Sequence, residues 1–149
     1  YSDKPFALDN FCRNFERLPD NVRSRLTVEN DDKASLYSTK ELYDGVYQRI
    51  GIPIVFDYHH HMLHPGDQSE QEALELALST WGDIKPVVHY AESRALEHNN
   101  PKIKPQAHSD LVYNTLDDYG NTFDIMIEAK HKELALLQYR DILLKEKAA

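Results

Sequence analysis

The sequence predicts an α/β fold built on a parallel sheet. Two observations carry that expectation: short apolar runs alternate four times with segments of helical periodicity, and helix-capping and stop residues punctuate the alternation. The elements follow in order. Leu8, Phe11, Phe15 and Leu18 recur at helical spacing, so residues 5–18 are predicted to form an amphipathic helix, stopped by Pro19-Asp20-Asn21. Arg25-Leu26-Thr27-Val28 is a short β-prone run ending at Glu29. Ser38 followed three residues later by Glu41 is a capping-box signal for a helix through Ile50, and Gly51 ends it. Ile52-Pro53-Ile54-Val55-Phe56 is nearly continuous in apolar residues, as strands covered on both faces are, and it ends at Asp57. Ser69 and Glu72 repeat the capping signal for a helix through Leu74, Leu76, Ala77 and Leu78 to Trp81, with Gly82 as the stop. Pro86-Val87-Val88 follows and ends at His89. A polar loop holding Asn99, Asn100, Pro101 and Pro105 leads to residues 109–119, predicted helical and broken by Gly120. Ile125-Met126-Ile127 is the fourth strand, ending at Glu128, and the segment with Leu134, Leu137, Tyr139 and Leu143 is predicted to be a long terminal helix.

A closed eight-stranded barrel needs eight such strand-helix units and about 250 residues. Four units over 149 residues therefore predict half of a TIM (β/α)8 barrel, as a single domain over residues 1–149. No G-x-G-x-x-G loop or P-loop follows any strand, which removes the usual nucleotide-binding reason for an open doubly wound sheet. The composition, 41% hydrophobic and 28% charged, suits a globular chain with its own core. No apolar run approaches the roughly 18 residues of a membrane span, and Tyr1 opens a polar stretch rather than a signal segment. The chain reads as soluble and intracellular, cytoplasmic or nuclear, with no membrane partner. Its first residue is not Met, which suggests a processed chain or a piece of a longer one. Cys12 alone excludes an internal disulfide and a Cys-based zinc cluster, and is expected to pack in a helix. The net charge of −8 argues against coating nucleic acid by charge alone. A nuclease remains compatible with it, because bound cations neutralise a carboxylate site.

The chemistry is concentrated at the strand ends. The four apolar runs terminate in Glu29, Asp57, His89 and Glu128, all metal-capable. In α/β barrels the carboxyl ends of the strands form one face on which catalytic residues converge, so these four are expected to share one bowl. A single acidic residue there is ordinarily a cap or turn former. Four of four favours a metal site, and three carboxylates with an imidazole suit Mn, Mg or Zn. Of the consecutive His59, His60 and His61, one or two can reach the bowl; His59 and His64 are read as loop residues or carbonyl caps. His108, where a loop meets the next predicted helix, reads by itself as a surface residue or cap, and His98 and His131 carry no signal beyond that. Arg94, Lys102, Lys104, Lys130 and Lys132 flank the bowl; each is ordinarily a solvated charge, and together they could hold phosphates.

Leu26-Thr27-Val28-Glu29-Asn30-Asp31-Asp32, Val55-Phe56-Asp57-Tyr58-His59-His60-His61, Val88-His89-Tyr90 and Asp124-Ile125-Met126-Ile127-Glu128-Ala129-Lys130 resemble, in order, the second-half motifs of the UV damage endonuclease family. The resemblance runs from Arg25 to the end. It implies the carboxy-terminal half of a barrel related to endonuclease IV, nicking damaged double-stranded DNA on the 5′ side of UV-damaged bases with two or three divalent ions, Mn(II) foremost. By motif, Glu29 would bridge two ions and Asp57, His89 and Glu128 would complete one, these four being the catalytic set. His60 matches a D-x-x-H spacing and would bind a further ion with His108. The third motif departs from the family pattern: Val87 stands where a Lys is expected, and Lys85 lies two residues further back.

Two alternatives stay open at this stage. Related sugar isomerases and epimerases place a Glu, Asp, His and Glu set around one ion in the same barrel, and a non-catalytic fragment could keep a vestigial site. A half barrel also leaves two edge strands and an apolar inner face uncovered. Its expected partners are therefore an amino-terminal half or a second copy of the chain, unless the terminal helix closes the edge.

Overall fold

The structure, a computed structural model, describes residues 3–149; Tyr1, read above as opening a polar stretch, lies outside them. α1 (Lys4–Phe15) is capped by Asp3, whose carboxylate accepts the Phe6 N–H at 3.0 Å, and it buries Cys12 and Phe15. It ends three residues earlier than Leu18, which packs from the following turn ahead of the one-turn α2 (Asp20–Arg23). β1 is short (Val28–Glu29). The capping box of Ser38 and Glu41 opens α3 (Thr39–Leu42), which continues through a π-helical turn (Tyr43–Tyr47) into α4 (Gln48–Ile50). Gly51 ends it at φ 70°, a left-handed conformation that glycine adopts without a Cβ clash. Gly45, in the π turn, lets α1 approach closely, since a Cβ there would stand 2.6 Å from Leu8 Cδ1. Cys12 fills that contact and donates to the Gly45 carbonyl, the packing role expected of it.

β2 (Ile54–Asp57) is buried along its whole length. α5 (Tyr58–Leu63) follows with no loop between, because Asp57 is at once the end of the strand and the N-cap of the helix. A second capping box, Ser69 with Glu72, opens α6 (Glu70–Leu78), which ends in a 3-10 turn (Ser79–Trp81). That turn ties back to the sheet: Thr80 Oγ1 accepts the Ile54 N–H and Trp81 Nε1 donates to the Ile54 carbonyl. β3 (Val87–Tyr90), the one-turn α7 (Arg94–Glu97), β4 (Asp124–Ile127) and α8 (Glu133–Ala148) complete the chain.

The strands form one parallel sheet in the order β1-β2-β3-β4, in register Glu29 to Val55, Asp57 to His89, and His89 to Met126. Side chains alternate between faces. Ile54, Phe56, Val88, Tyr90, Ile125 and Ile127 face the helices and form the core with Leu42, Val46, Leu74, Ala77, Val112 and Tyr139. Val55, Asp57, Val87, His89, Asp124 and Met126 occupy the other face, where Met126 is 52% exposed. Among the described residues no strand pairs with the free edges of β1 and β4.

One expectation is corrected, and the terminal helix forms as expected. Residues 109–119 are not helical but an ordered irregular segment. Carboxylates from the preceding unit capture the amides that a helix would need: Glu97 accepts the N–H groups of Asp110 and Leu111, and Glu92 those of Tyr113 and Asn114, while Val112 is driven into the core. In α8 the buried residues are Ala135 and Tyr139, four apart; Leu134 and Leu137 are 56% and 58% exposed. Tyr139 packs at a tilt against Tyr90 on the core side of α8, with ring centroids 5.9 Å apart.

Candidate metal centre

Each strand delivers a polar side chain to its carboxyl end. Asp57 is fully buried, with its backbone held on both sides by Asn30: Asn30 Oδ1 accepts the Asp57 N–H at 2.8 Å, and Asn30 Nδ2 donates to the Asp57 carbonyl at 3.0 Å. One carboxylate oxygen, Oδ1, caps α5 by accepting the His60 N–H at 2.8 Å. The other, Oδ2, is buried without any hydrogen-bond partner among the described residues. A buried carboxylate oxygen left unpaired is costly unless a cation or a proton meets it.

Around that oxygen stand the other strand-end residues. Glu29 Oε1 lies 3.1 Å from His89 Nδ1 and 3.4 Å from His60 Nδ1. Glu128 reaches His89 Nδ1 at 3.5 Å with one oxygen and His108 Nδ1 at 3.7 Å with the other. His60 Nδ1 also lies 2.8 Å from the Asn30 carbonyl and 3.7 Å from Asp57 Oδ2. Two triads have ligand-capable atoms within 4.8 Å of one another, Glu29-Asp57-His60 and Asp57-His89-Glu128, with Asp57 common to both. Glu29 also reaches both His60 and His89. The six residues singled out from sequence, Glu29, Asp57, His60, His89, His108 and Glu128, are thus gathered in one place. Their donor set of three carboxylates and three imidazoles, closed on an orphaned buried oxygen, fits divalent cations that accept mixed oxygen and nitrogen ligands.

The remaining histidines separate by helical rotation. His61 turns into the core against Phe56, and His59 is 2% exposed, with Nε2 3.1 Å from the Pro105 carbonyl and its ring edge-on to His108. Of the two readings given to His59, the carbonyl cap is the one observed; it lies in α5, not in a solvated loop. His64 follows α5 with Nδ1 buried and unpartnered. His98 sits between Glu97 and Asp110, beside the Arg94 to Asp110 ion pair; these three form a separate group able to face a cation, but its oxygens already take backbone amides and Arg94. Lys102, Lys104 and Lys130 are exposed, whereas Arg94 is engaged by Asp110. Val87 is on the same sheet face as His89, and Lys85 pairs with Asp124. Sequence reasoning passed over Asn30. An Asn after a strand end reads as a turn residue, and nothing local announces that it spans to β2.

Burial pushes the Asp57 carboxyl up to about 7, with the neighbouring Glu29 adding to the rise and the His60 N–H and imidazole opposing it. Burial acts on Glu29 too, but its bond to His89, the nearby Asp57 carboxyl and the charges of His89 and His60 outweigh it, leaving its pKa lowered. His89 is raised, chiefly by its bond to Glu29. His60 is raised because Asp57, the Asn30 carbonyl and Glu29 outweigh its burial, while burial lowers His108 and His59. At Asp57 the folded chain therefore holds a proton that the unfolded chain has released. That proton-linked stability is present at low pH and is lost as pH rises through the folded value. In chelator, the urea midpoint of the parent relative to Asp57→Asn is expected to fall between about pH 4 and about pH 7. An equally steep profile in the variant would remove Asp57 from the account.

The fold and these strand-end residues define a TIM-barrel-like α/β protein with a cluster of metal-competent side chains on the carboxyl face of its sheet. Within that class the chain belongs to the UV-endonuclease UvdE family, whose model matches residues 1–147. It is 36% identical over 153 residues to a protein named UV DNA damage endonuclease from Bacillus cereus (strain B4264), covering 96% of this chain and 45% of that protein. A protein of the same name from Bacillus mycoides (strain KBAB4) is 33% identical over 148 residues, with 93% of this chain and 44% of that protein covered. Among solved structures, one described as the crystal structure of SacUVDE superposes with a TM-score of 0.80 at 33% identity, over 97% of this chain and 48% of that one. The chain thus spans about half the length of the relatives it matches.

Proposed function

We propose that this chain is the carboxy-terminal half-barrel of a metal-dependent DNA-repair endonuclease that hydrolyses a phosphodiester 5′ to UV-damaged bases in double-stranded DNA. The observation that carries the reading is the unpartnered Oδ2 of Asp57, the residue common to the Glu29-Asp57-His60 and Asp57-His89-Glu128 triads, with His108 beside Glu128, in a chain of the UvdE family. Divalent ions, Mn(II) foremost with Mg(II) or Zn(II) as alternatives, would there supply an activated water nucleophile and neutralise charge on the leaving oxygen. Glu29, within reach of both His60 and His89, is suited to span two ions, with Asp57, His89 and Glu128 holding one and His60 and His108 a further one. The two triads favour a multi-ion nuclease over a one-ion sugar isomerase.

The exposed Lys102, Lys104 and Lys130 would hold the DNA backbone, as would Arg94 if it leaves Asp110. The free edges of β1 and β4 and the exposed Met126 suit a second half-barrel, either an amino-terminal half or a second copy. The wall that reads the lesion would come with that half, so this chain alone is expected to nick weakly or not at all. An intracellular setting, cytoplasmic or nuclear, fits a DNA substrate. No helix among the described residues is long and apolar enough to cross a membrane.

The test is nicking of UV-irradiated against unirradiated duplex by the complete protein, with Mn(II) and with chelator. Damage-dependent, chelator-sensitive nicking is expected, and Glu29→Gln should lower its rate by about a hundred- to a thousandfold, the scale of removing a transition-state electrostatic contact. Normal nicking by Glu29→Gln would overturn the assignment of that residue. Nicking that ignores damage would overturn the substrate.

A further inference from the structure

We propose that Asn30 is the positioning residue of this centre, setting the Asp57 carboxylate and the His60 imidazole as a pair. The inference rests on the metal reading above and goes beyond the residues assigned to ligation. Asn30 is 1% exposed, and a fully buried amide survives only when its donors and acceptor are used. Here both sides of it are spent on one residue: it accepts from the N–H and donates to the C=O of Asp57. The β1 to β2 ladder registers Glu29 with Val55, so no backbone pairing from β1 reaches Asp57; the Asn30 side chain takes its place. It therefore fixes the peptide from which the Asp57 carboxylate projects, on a strand end that is also a helix N-cap.

The backbone of Asn30 does a second task. Its carbonyl lies 2.8 Å from His60 Nδ1, which orients that ring next to Asp57 Oδ2 and Glu29 Oε1. Asp57 in turn holds the His60 N–H through Oδ1, so Oδ2 is the oxygen left over for a cation. One side chain and one carbonyl of the same residue thus aim two ligand candidates from two different elements. Groups outside the ligand shell that aim ligands in this way commonly contribute ten- to a hundredfold in metal affinity, on the order of 1.4–2.7 kcal/mol.

The experiment is Mn(II) calorimetry on the complete protein and on Asn30→Ala, Asp57→Asn and Val112→Ala, each corrected for folded fraction from its urea curve. Val112 is fully buried in the core and belongs to neither ligand-capable triad, so it reports what mere destabilisation does. The expected result is a Kd weakened about ten- to a hundredfold in Asn30→Ala and within about twofold of the parent in Val112→Ala. Where Asn30→Ala does not fold, Asn30→Ser keeps a hydroxyl for one side of the Asp57 peptide, and a smaller weakening in the same direction is expected. Co(II) substitution gives a second readout, an altered d–d spectrum in the Asn30 variants that Val112→Ala leaves unchanged. Unaltered Kd and spectrum in the folded Asn30 variants, with Asp57→Asn losing the ion, would overturn the positioning role and leave the metal reading standing. A folded parent that binds no Mn(II) would overturn both.

Discussion

Asp57→Asn is expected to weaken Mn(II) binding by more than about a hundredfold while leaving the metal-free fold at least as stable as the parent. The loss should exceed that from any residue which merely supports the ligands, because Asp57 belongs to both ligand-capable triads and one of its oxygens has no other partner. Stability is expected to hold because the amide oxygen of Asn can still cap α5 through the His60 N–H. The amide NH2 can then meet the Glu29 carboxylate, replacing a proton that burial otherwise forces onto Asp57 near neutral pH. Calorimetric titration of parent and variant, beside urea denaturation in chelator, reads both halves of this expectation. Parental affinity in the variant would remove Asp57 from the site. Loss of the fold would mean that the carboxylate itself, rather than its hydrogen-bonding shape, holds β2 to α5.

Phe56→Ala is expected to destabilise the chain by about 3–5 kcal/mol, the range for deleting a buried aromatic ring. Phe56 is fully buried on the helix-covered face of the central strand β2, with its ring centroid 4.9 Å from Tyr58 edge-on and 5.3 Å from His61. The cavity would open where α5 and α6 meet the sheet, one residue before Asp57. With a urea m-value of about 1–3 kcal/mol/M, the midpoint should drop by more than about 1 M. The variant's residual folded fraction should still bind Mn(II), since Phe56 and Asp57 face opposite sides of the sheet. A change below about 1 kcal/mol would place Phe56 outside the cooperative core.

Much of the fold was legible because it is encoded locally. Both capping boxes, Ser38 with Glu41 and Ser69 with Glu72, form as their spacing predicts, since their bonds close within four residues. The apolar runs ending at Glu29, Asp57, His89 and Glu128 became the four parallel strands for the same reason: a short apolar run bounded by polar residues is a local signal, most continuous in β2, which is buried along its whole length. Convergence of those four side chains then follows from parallel topology, which puts all carboxyl ends on one face. The resemblance carried by the same motifs led to the family in which the comparisons place the chain.

What only the tertiary structure decided concerns partners distant in sequence. The resemblance singles out His60 by its spacing, but where His59 and His61 go depends on α5 following Asp57 with no loop, so that successive side chains turn by about 100° around the helix. That residues 109–119 are irregular depends on Glu92 and Glu97, 13 to 22 residues away, outcompeting a helix for its amides. Asn30 was invisible because its meaning lies 27 residues on, at the two sides of one peptide unit. The sequence by itself determined the element types, their parallel order and the ligand-type residues at the strand ends, because periodicity, capping and burial are read over a few neighbours. The aim of each side chain was decided by the folded chain alone, because a buried polar group takes the partner that packing brings to it.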